Sequence, residues 1–329
     1  MKNIKIYKKI YPLLITCVLI GNYPSEVKAD EETKITISFA GDCTLGNDKK
    51  VTYFNDTFKK QNEDYSYFFS NVKDIFDNDD YTLVNLETTF TDATKYADKQ
   101  FNFKGPKEYA NILIEGGIEG VNISNNHTKD YLDKGYIDTI NTLKEYDIDY
   151  SGDDYIHVET IKGIRIGFIG FKNSNLTYEH IDDILDKVKS LNVDMIISSC
   201  HWGIERELKF NDKQQEIGHY LIDNGVDVVI GHHPHVLQGI EEYNGKYIVY
   251  SLGNFCFGGN RNPKDKDTMI FRETFIFEEN KLKDTEIEII PCSISSKENI
   301  NDFKPTPLEG EEKDRVLTKI KKYSYNFEY

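Results

Sequence analysis

Seven short apolar runs, each stopping at or just before a polar residue, constrain this 329-residue chain more than any other feature. They are "ITISFAG" (35–41), "YTLVNLE" (81–87), "GVNISNN" (120–126), "IRIGFIGF" (164–171), "DMIISSCHW" (194–202), "DVVIGHHPH" (227–235) and "KYIVYSLGNF" (246–255). Several are apolar at nearly every position, the pattern of strands covered on both faces. Amphipathic stretches lie between them. "YIDTINTLKEY" puts Ile137, Ile140 and Leu143 on one helical face, and "QEIGHYLIDNG" ends at Gly225, a helix stop. Strands alternating with helices predict a layered α/β core. "FRETFIFEENKLKDTEIEIIPC" has no helix between its runs and predicts a hairpin closing a sheet edge. No internal repeat or second-domain boundary interrupts the pattern. One domain is expected over 34–295, with 296–329 as a peripheral, acidic and Lys-rich tail.

The polar residues that end the runs are the functional signal. Asp42 follows the first, Glu87 closes the second, and Asn126 and His127 close the third. His201 ends the fifth, and His233 and His235 end the sixth in "GHHPHV". Ligands in open α/β sheets gather outside the carboxyl ends of strands. One polar strand end is an ordinary turn, but five of this composition predict a shared site. His-x-His on an extended segment would turn both rings to one side, with Pro234 stiffening the backbone between them. His232 is expected to face away from its neighbours at 233 and 235 and is left out. His157, His180 and His219 fall on loop or helix segments without partners and are set aside as surface or core histidines.

Carboxylates, neutral imidazoles and an amide oxygen suit borderline divalent ions such as zinc, manganese or iron. An all-oxygen cage would instead indicate calcium or magnesium. Six ligands (Asp42, Glu87, Asn126, His201, His233 and His235) exceed what one open catalytic ion needs. They predict two ions sharing a bridging carboxylate.

The first 29 residues have a basic start, the apolar core "IYPLLITCVLI" and a small-residue "VKA" end, the layout of a secretory signal peptide. Ile10–Ile20 is shorter than the roughly 20 residues a spanning helix needs. Cleavage after Ala29 is favoured over an uncleaved membrane anchor, and export is expected either way. Removing the five lysines and one glutamate of this segment leaves 35 basic against 55 acidic residues. Such a chain repels nucleic acid and anionic membrane, so neither is an expected partner. A polyanionic substrate would need a local cation to reverse the field. Cys43, Cys200, Cys256 and Cys292 fit no zinc knuckle or dense disulfide framework and read as small buried hydrophobes, with a disulfide as the lesser alternative.

The motifs "GDCTLG", "NLETTFTD", "FKGP", "NISNNHTKDYLDKGYIDTINTLKEYDIDYSGDD", "HWGIERE" and "VVIGHHPHVLQGIEEYNGKYIVYSLGNFCFGG" resemble the CapA, or poly-gamma-glutamate capsule biosynthesis, family over about 34–260. That family is similar to the calcineurin-like metallophosphoesterases. The resemblance implies a four-layer sandwich, two mixed β-sheets flanked by helices. It also implies that Asn126 is a ligand and His127 the acid that protonates a leaving group, with Asp130 as the nearest orienting carboxylate. Two departures stand out. Thr44 occupies the position of a ligand histidine, and Thr128 that of an acidic residue.

Three functions follow as expectations. The first is an exported two-metal hydrolase acting on a phosphoester or an anionic polymer. The second is a non-catalytic component that binds and exports polymer beside a membrane-bound polyglutamate synthesis complex. The third is a secreted phosphoesterase unrelated to capsule.

Overall fold

The computed structural model describes residues 32–329, so the expected signal segment and its cleavage lie outside the described residues. Two mixed sheets organise the chain. The larger runs, in spatial order, Thr306–Pro307, Lys281–Ser293, Asp267–Glu278, Thr33–Thr44, Tyr81–Leu86, Gly120–Asn122 and Asp149–Ser151, with Asn254–Phe257 also pairing with Thr33–Thr44. The second runs Ile240–Tyr243, Lys246–Val249, Val228–His232, Met195–His201, Ile164–Lys172 and His157–Ile161. The central strands of the second sheet and the Thr33–Ser151 half of the larger one are parallel, so their carboxyl ends share one rim within each sheet.

The strand period of two sorts the core into three layers. Ile35, Ile37, Phe39, Tyr81 and Leu83 of the larger sheet pack against Ile164, Ile166, Phe168, Met195, Ile197, Val228 and Ile230 of the second. The opposite face of the larger sheet, with Val84, Leu86 and Val121, meets helices Tyr53–Lys60, Ala110–Gly116 and Leu132–Glu145. The outer face of the second, with Ile169, Ile196 and Val229, meets helices Tyr178–Ser190 and Asp212–Asp223. Helix, sheet, sheet, helix is the four-layer α/β sandwich expected.

Several sequence expectations are corrected. The third strand stops at Asn122 and the sixth at His232, because both segments turn before their polar residues. "KYIVYSLGNF" divides between the sheets as Lys246–Val249 and Asn254–Phe257. Ile137 is exposed while Thr139, Ile140, Thr142 and Leu143 are buried. At 100° per residue it points away from the Thr139–Leu143 arc. The predicted hairpin forms, but Asp267–Glu278 pairs with Thr33–Thr44 well inside the sheet, and Thr306–Pro307 is the edge. The segment 296–329 is not peripheral: it buries Phe303 and supplies helix Gly310–Tyr323, whose Val316 and Ile320 join the inter-sheet core. All four described cysteines are buried free thiols.

Candidate metal centre

The face that is apolar along the strands becomes polar at their carboxyl rim. Tyr81 and Leu83 are followed, two residues apart, by Asn85 and Glu87. Met195 and Ile197 are followed by Ser199 and His201, and Val228 and Ile230 by His232. Parity alone therefore turns Glu87, His201 and His232 into the space between the sheets.

Asp42 arrives from the first strand, which is irregular on both sides of it. The irregularity lets Asn254–Phe257 pair there. A side chain at Gly41 would put its Cβ 2.1 Å from the Gly253 carbonyl oxygen, so glycine is what permits the approach. That approach sets Asn254 Oδ1 2.9 Å from His235 Nδ1.

The two loop histidines are not on an extended segment. The chain bends after His232, with φ of 96° at His233 and 57° at His235. Left-handed backbone at non-glycine residues costs energy and gathers at functional sites. The rings nonetheless sit close, His201 to His233 at 4.7 Å and His233 to His235 at 6.0 Å between centroids.

Five of the six residues expected as ligands are brought together. Glu87, His201 and His233 form one group whose candidate ligand atoms all lie within 4.8 Å of one another, and Asp42, Glu87 and His235 form another. Glu87 belongs to both. His201 Nε2 is 3.2 Å from Glu87 Oε1, and His235 Nδ1 is 3.2 Å from Asp42 Oδ2 and 3.8 Å from Glu87 Oε2. The sixth, Asn126, is exposed, and its recorded contact is a backbone carbonyl accepting from Lys99 Nζ at 2.7 Å. Its carboxamide as a ligand rests on the resemblance alone. The buried neighbour Asn125 instead donates to the Leu86 carbonyl (2.9 Å) and accepts from the His127 N–H (3.0 Å), locking the turn. Thr44 is buried, with its hydroxyl unpartnered.

His127 is buried against Phe103, with Nδ1 2.8 Å from Asp130 Oδ2 and Nε2 3.9 Å from Glu87 Oε1. Asp130 is itself held by the Phe103 N–H and by Lys99. The imidazole therefore has one nitrogen fixed by a carboxylate and the other directed at the cluster.

Sequence reasoning missed four participants. Asn85 donates to Asp42 Oδ1 at 2.8 Å and accepts from Asn122 at 2.8 Å, a buried amide relay that alternation in "YTLVNLE" could have revealed. His232, left out earlier, has Nδ1 3.4 Å from Asp42 Oδ1. Lys99 carried no motif. Glu205, in "HWGIERE", has its carboxylate within 4.8 Å of ligand atoms of His233 and His235. The histidines set aside do have partners: His157 lies 3.1 Å from Asp149, His219 lies 2.9 Å from Glu241, and His180 lies 3.3 Å from Asn175.

Burial dominates the electrostatics. It would raise the Asp42 pKa, but His232 and His235 outweigh it and hold the carboxyl well below its ordinary value. Burial pushes Glu87 well above the usual range, with Asp42 and Asp130 adding to the effect. It lowers His201, His233 and His127. His235 moves the other way despite burial, up to about 10, because Glu87 and Asp42 favour its cation.

The donor set fits divalent cations. Asp42 and Glu87 are fully buried, and their ion-pair partners among the described residues are all histidines. Glu87 Oε2, His232 Nδ1 and His233 Nδ1 are buried without hydrogen-bond partners. Buried polar atoms are normally satisfied, so such orphans mark a place for a missing ligand.

Fold and site thus define a four-layer α/β protein with a buried carboxylate–imidazole centre between its sheets. The sequence pattern of the family described as bacterial capsule synthesis protein PGA_cap matches residues 36–259, and the chain belongs to that family. It is 29% identical to the capsule biosynthesis protein CapA of Bacillus anthracis over 292 residues, spanning 78% of this chain and 69% of that one. It is 30% identical to the PGA biosynthesis protein CapA of Bacillus subtilis over 256 residues, spanning 70% and 66%. A solved structure described as a novel phosphatase from Mycoplasma pneumoniae superposes with a TM-score of 0.48 at 13% identity, covering 79% of this chain and 95% of that one.

Proposed function

We propose that this chain is an exported protein of poly-gamma-glutamate capsule biosynthesis that uses two divalent cations for hydrolase-like chemistry on a phosphoester or glutamyl bond. One observation carries the reading: two ligand groups, Asp42–Glu87–His235 and Glu87–His201–His233, share a single buried carboxylate. When bound, manganese, zinc or iron would supply Lewis-acid polarisation of the substrate and activation of water. The chain's own residues do the rest. Glu87 belongs to both ligand groups and would be the shared carboxylate, and the amide relay through Asn85 orients Asp42. His127, held by Asp130 at Nδ1, turns Nε2 toward the cluster; protonated there, a state that Asp130 favours against burial, the ring would serve as the acid for the leaving group. Bound cations would also offset the chain's acidic charge, which an anionic polymer would otherwise meet unscreened.

The second reading is a polymer-binding or export component without turnover, working beside a membrane-bound synthesis complex. Thr44 favours it, because a hydroxyl is a poorer ligand than the imidazole that the phosphoesterases carry there. The test compares three proteins for metal content, melting temperature, turnover of simple phosphodiesters and glutamyl peptides, and capsule formation in cells. His127→Gln should keep metal content and melting temperature but lose turnover by about 10²–10⁴-fold. His233→Ala should lose metal and thermal stability together. Normal capsule in His127→Gln cells, with none in His233→Ala cells, would discard the hydrolase in favour of binding. Export is checked by locating the protein in cell, membrane and medium fractions; retention inside the cell would overturn it.

A further inference from the structure

Glu205 lies outside both ligand groups, yet its carboxylate reaches within 4.8 Å of His233 and His235, one member of each. Unlike Glu87, it is exposed, so it stands on the solvent side of the pair of imidazoles while Glu87 closes the buried side.

The loop that carries it is held. Trp202 is buried, with its N–H donating to the His232 carbonyl at 3.0 Å and its ring Nε1 to the Tyr250 carbonyl at 2.9 Å. The Arg206 N–H donates to the Pro234 carbonyl at 2.8 Å, clasping the residue after Glu205 to the centre of the His233–His235 bend. Gln238 ties down the far side through the carbonyls of Glu207 (2.8 Å) and Lys209 (3.1 Å). The loop and the two histidines therefore form one unit, and Glu205 is delivered to them by backbone bonds.

Thr44, two residues after Asp42 in the chain, offers only a buried, unpartnered hydroxyl where the resemblance implies an imidazole, which leaves the ligand set that includes Asp42 one donor short. A nearby carboxylate makes up such a deficit for manganese, an ion that carboxylate oxygen suits.

We propose that Glu205 is a second, solvent-side carboxylate ligand of the cation pair, compensating at the Asp42–Glu87–His235 position for the imidazole that Thr44 replaces. The inference rests on the two-cation reading above. It implies that the weaker-binding cation depends on Glu205 and that the stronger one does not.

The test is titration of the full chain with Mn²⁺ alone, followed by calorimetry and by the electron paramagnetic resonance of a spin-coupled manganese pair. Wild type should take up two equivalents. Glu205→Gln, an isosteric change at an exposed position, should leave apoprotein melting unchanged. It should weaken the second equivalent by tenfold or more and diminish the coupled signal. Thr44→His in the Glu205→Gln background should restore it. Two equivalents bound by Glu205→Gln with wild-type affinity would overturn the role of Glu205 while leaving the cation pair standing. Uptake of fewer than two equivalents by wild type, or uptake unaltered by His233→Ala, would overturn the pair and this inference with it.

Discussion

Asn85 shows how one residue organises the site without being a candidate ligand. Its Nδ2 faces Asp42, and its Oδ1 accepts from Asn122 at 2.8 Å and Asn125 at 3.3 Å, all of them buried. Truncation would strip Asp42 Oδ1 of its amide donor and free one N–H each of Asn122 and Asn125, whose side chains keep their bonds to the Ser124 and Leu86 carbonyls, at about 1–3 kcal/mol for a buried polar group so stranded. Asn85→Ala should therefore lower the urea unfolding midpoint by a margin equivalent to roughly 2–4 kcal/mol. An unchanged midpoint would show that water replaces the relay. Thr44 and Glu205 raise the converse problem, since their importance turns on a neighbour far away in sequence. A missing imidazole was legible at Thr44; its compensation, some 160 residues later, was not.

At the scale of elements, the Asp267–Glu278 strand carries an unusual load. Met269, Phe271, Phe275 and Phe277 face the inter-sheet core, and Glu273 sits in the same row. Glu273 is buried and both its carboxylate oxygens lack hydrogen-bond partners, so burial pushes its pKa well above 4.5. The sign follows from linkage. Below pH 4.5 both folded and unfolded chains carry the proton; above it only the unfolded chain loses it readily, so stability falls as pH rises toward the raised folded value. Glu273→Gln removes this dependence. The variant should match or exceed wild type in stability at pH 7, with a gap that narrows toward pH 4.5 at up to about 1.4 kcal/mol per pH unit. Denaturant midpoints at three pH values measure it, and a gap independent of pH would refute the assignment. The row also shows why patterning alone misplaced this hairpin. Its alternation is that of any half-buried strand, and only pairing with Thr33–Thr44 puts it inside the sheet.

For the whole molecule, the family match ends at residue 259, but the fold does not. The Asp267–Ser293 hairpin pairs with the first strand, and Val316 and Ile320 of the last helix fill the inter-sheet core. Each buried aliphatic or aromatic side chain contributes about 1.5–3 kcal/mol, and the chain beyond 259 buries many. A fragment covering 32–259 should lack a cooperative thermal transition, whereas 32–329 should show one. Cooperative melting of the shorter piece would mean that residues 260–329 only decorate the domain. Net charge belongs to this scale too: an excess of 16 acidic over basic residues repels anions from the molecule as a whole.

The alternation of strand and helix, and with it the layered α/β class, was legible in the order of residues alone. Because side chains alternate strictly along a strand, that order also determined that Glu87 and His201 point to the same side as their apolar neighbours. Tertiary structure decided everything that happens past the last strand hydrogen bond. His233 and His235 converge through left-handed backbone that no local pattern announces, and Asn126 turns outward while Asn125 turns in. His232 meets Asp42 because the second sheet lies over the first at that rim. Period fixes the face a side chain takes; which strand ends meet, and how a chain bends beyond them, depends on packing between layers that are distant in sequence.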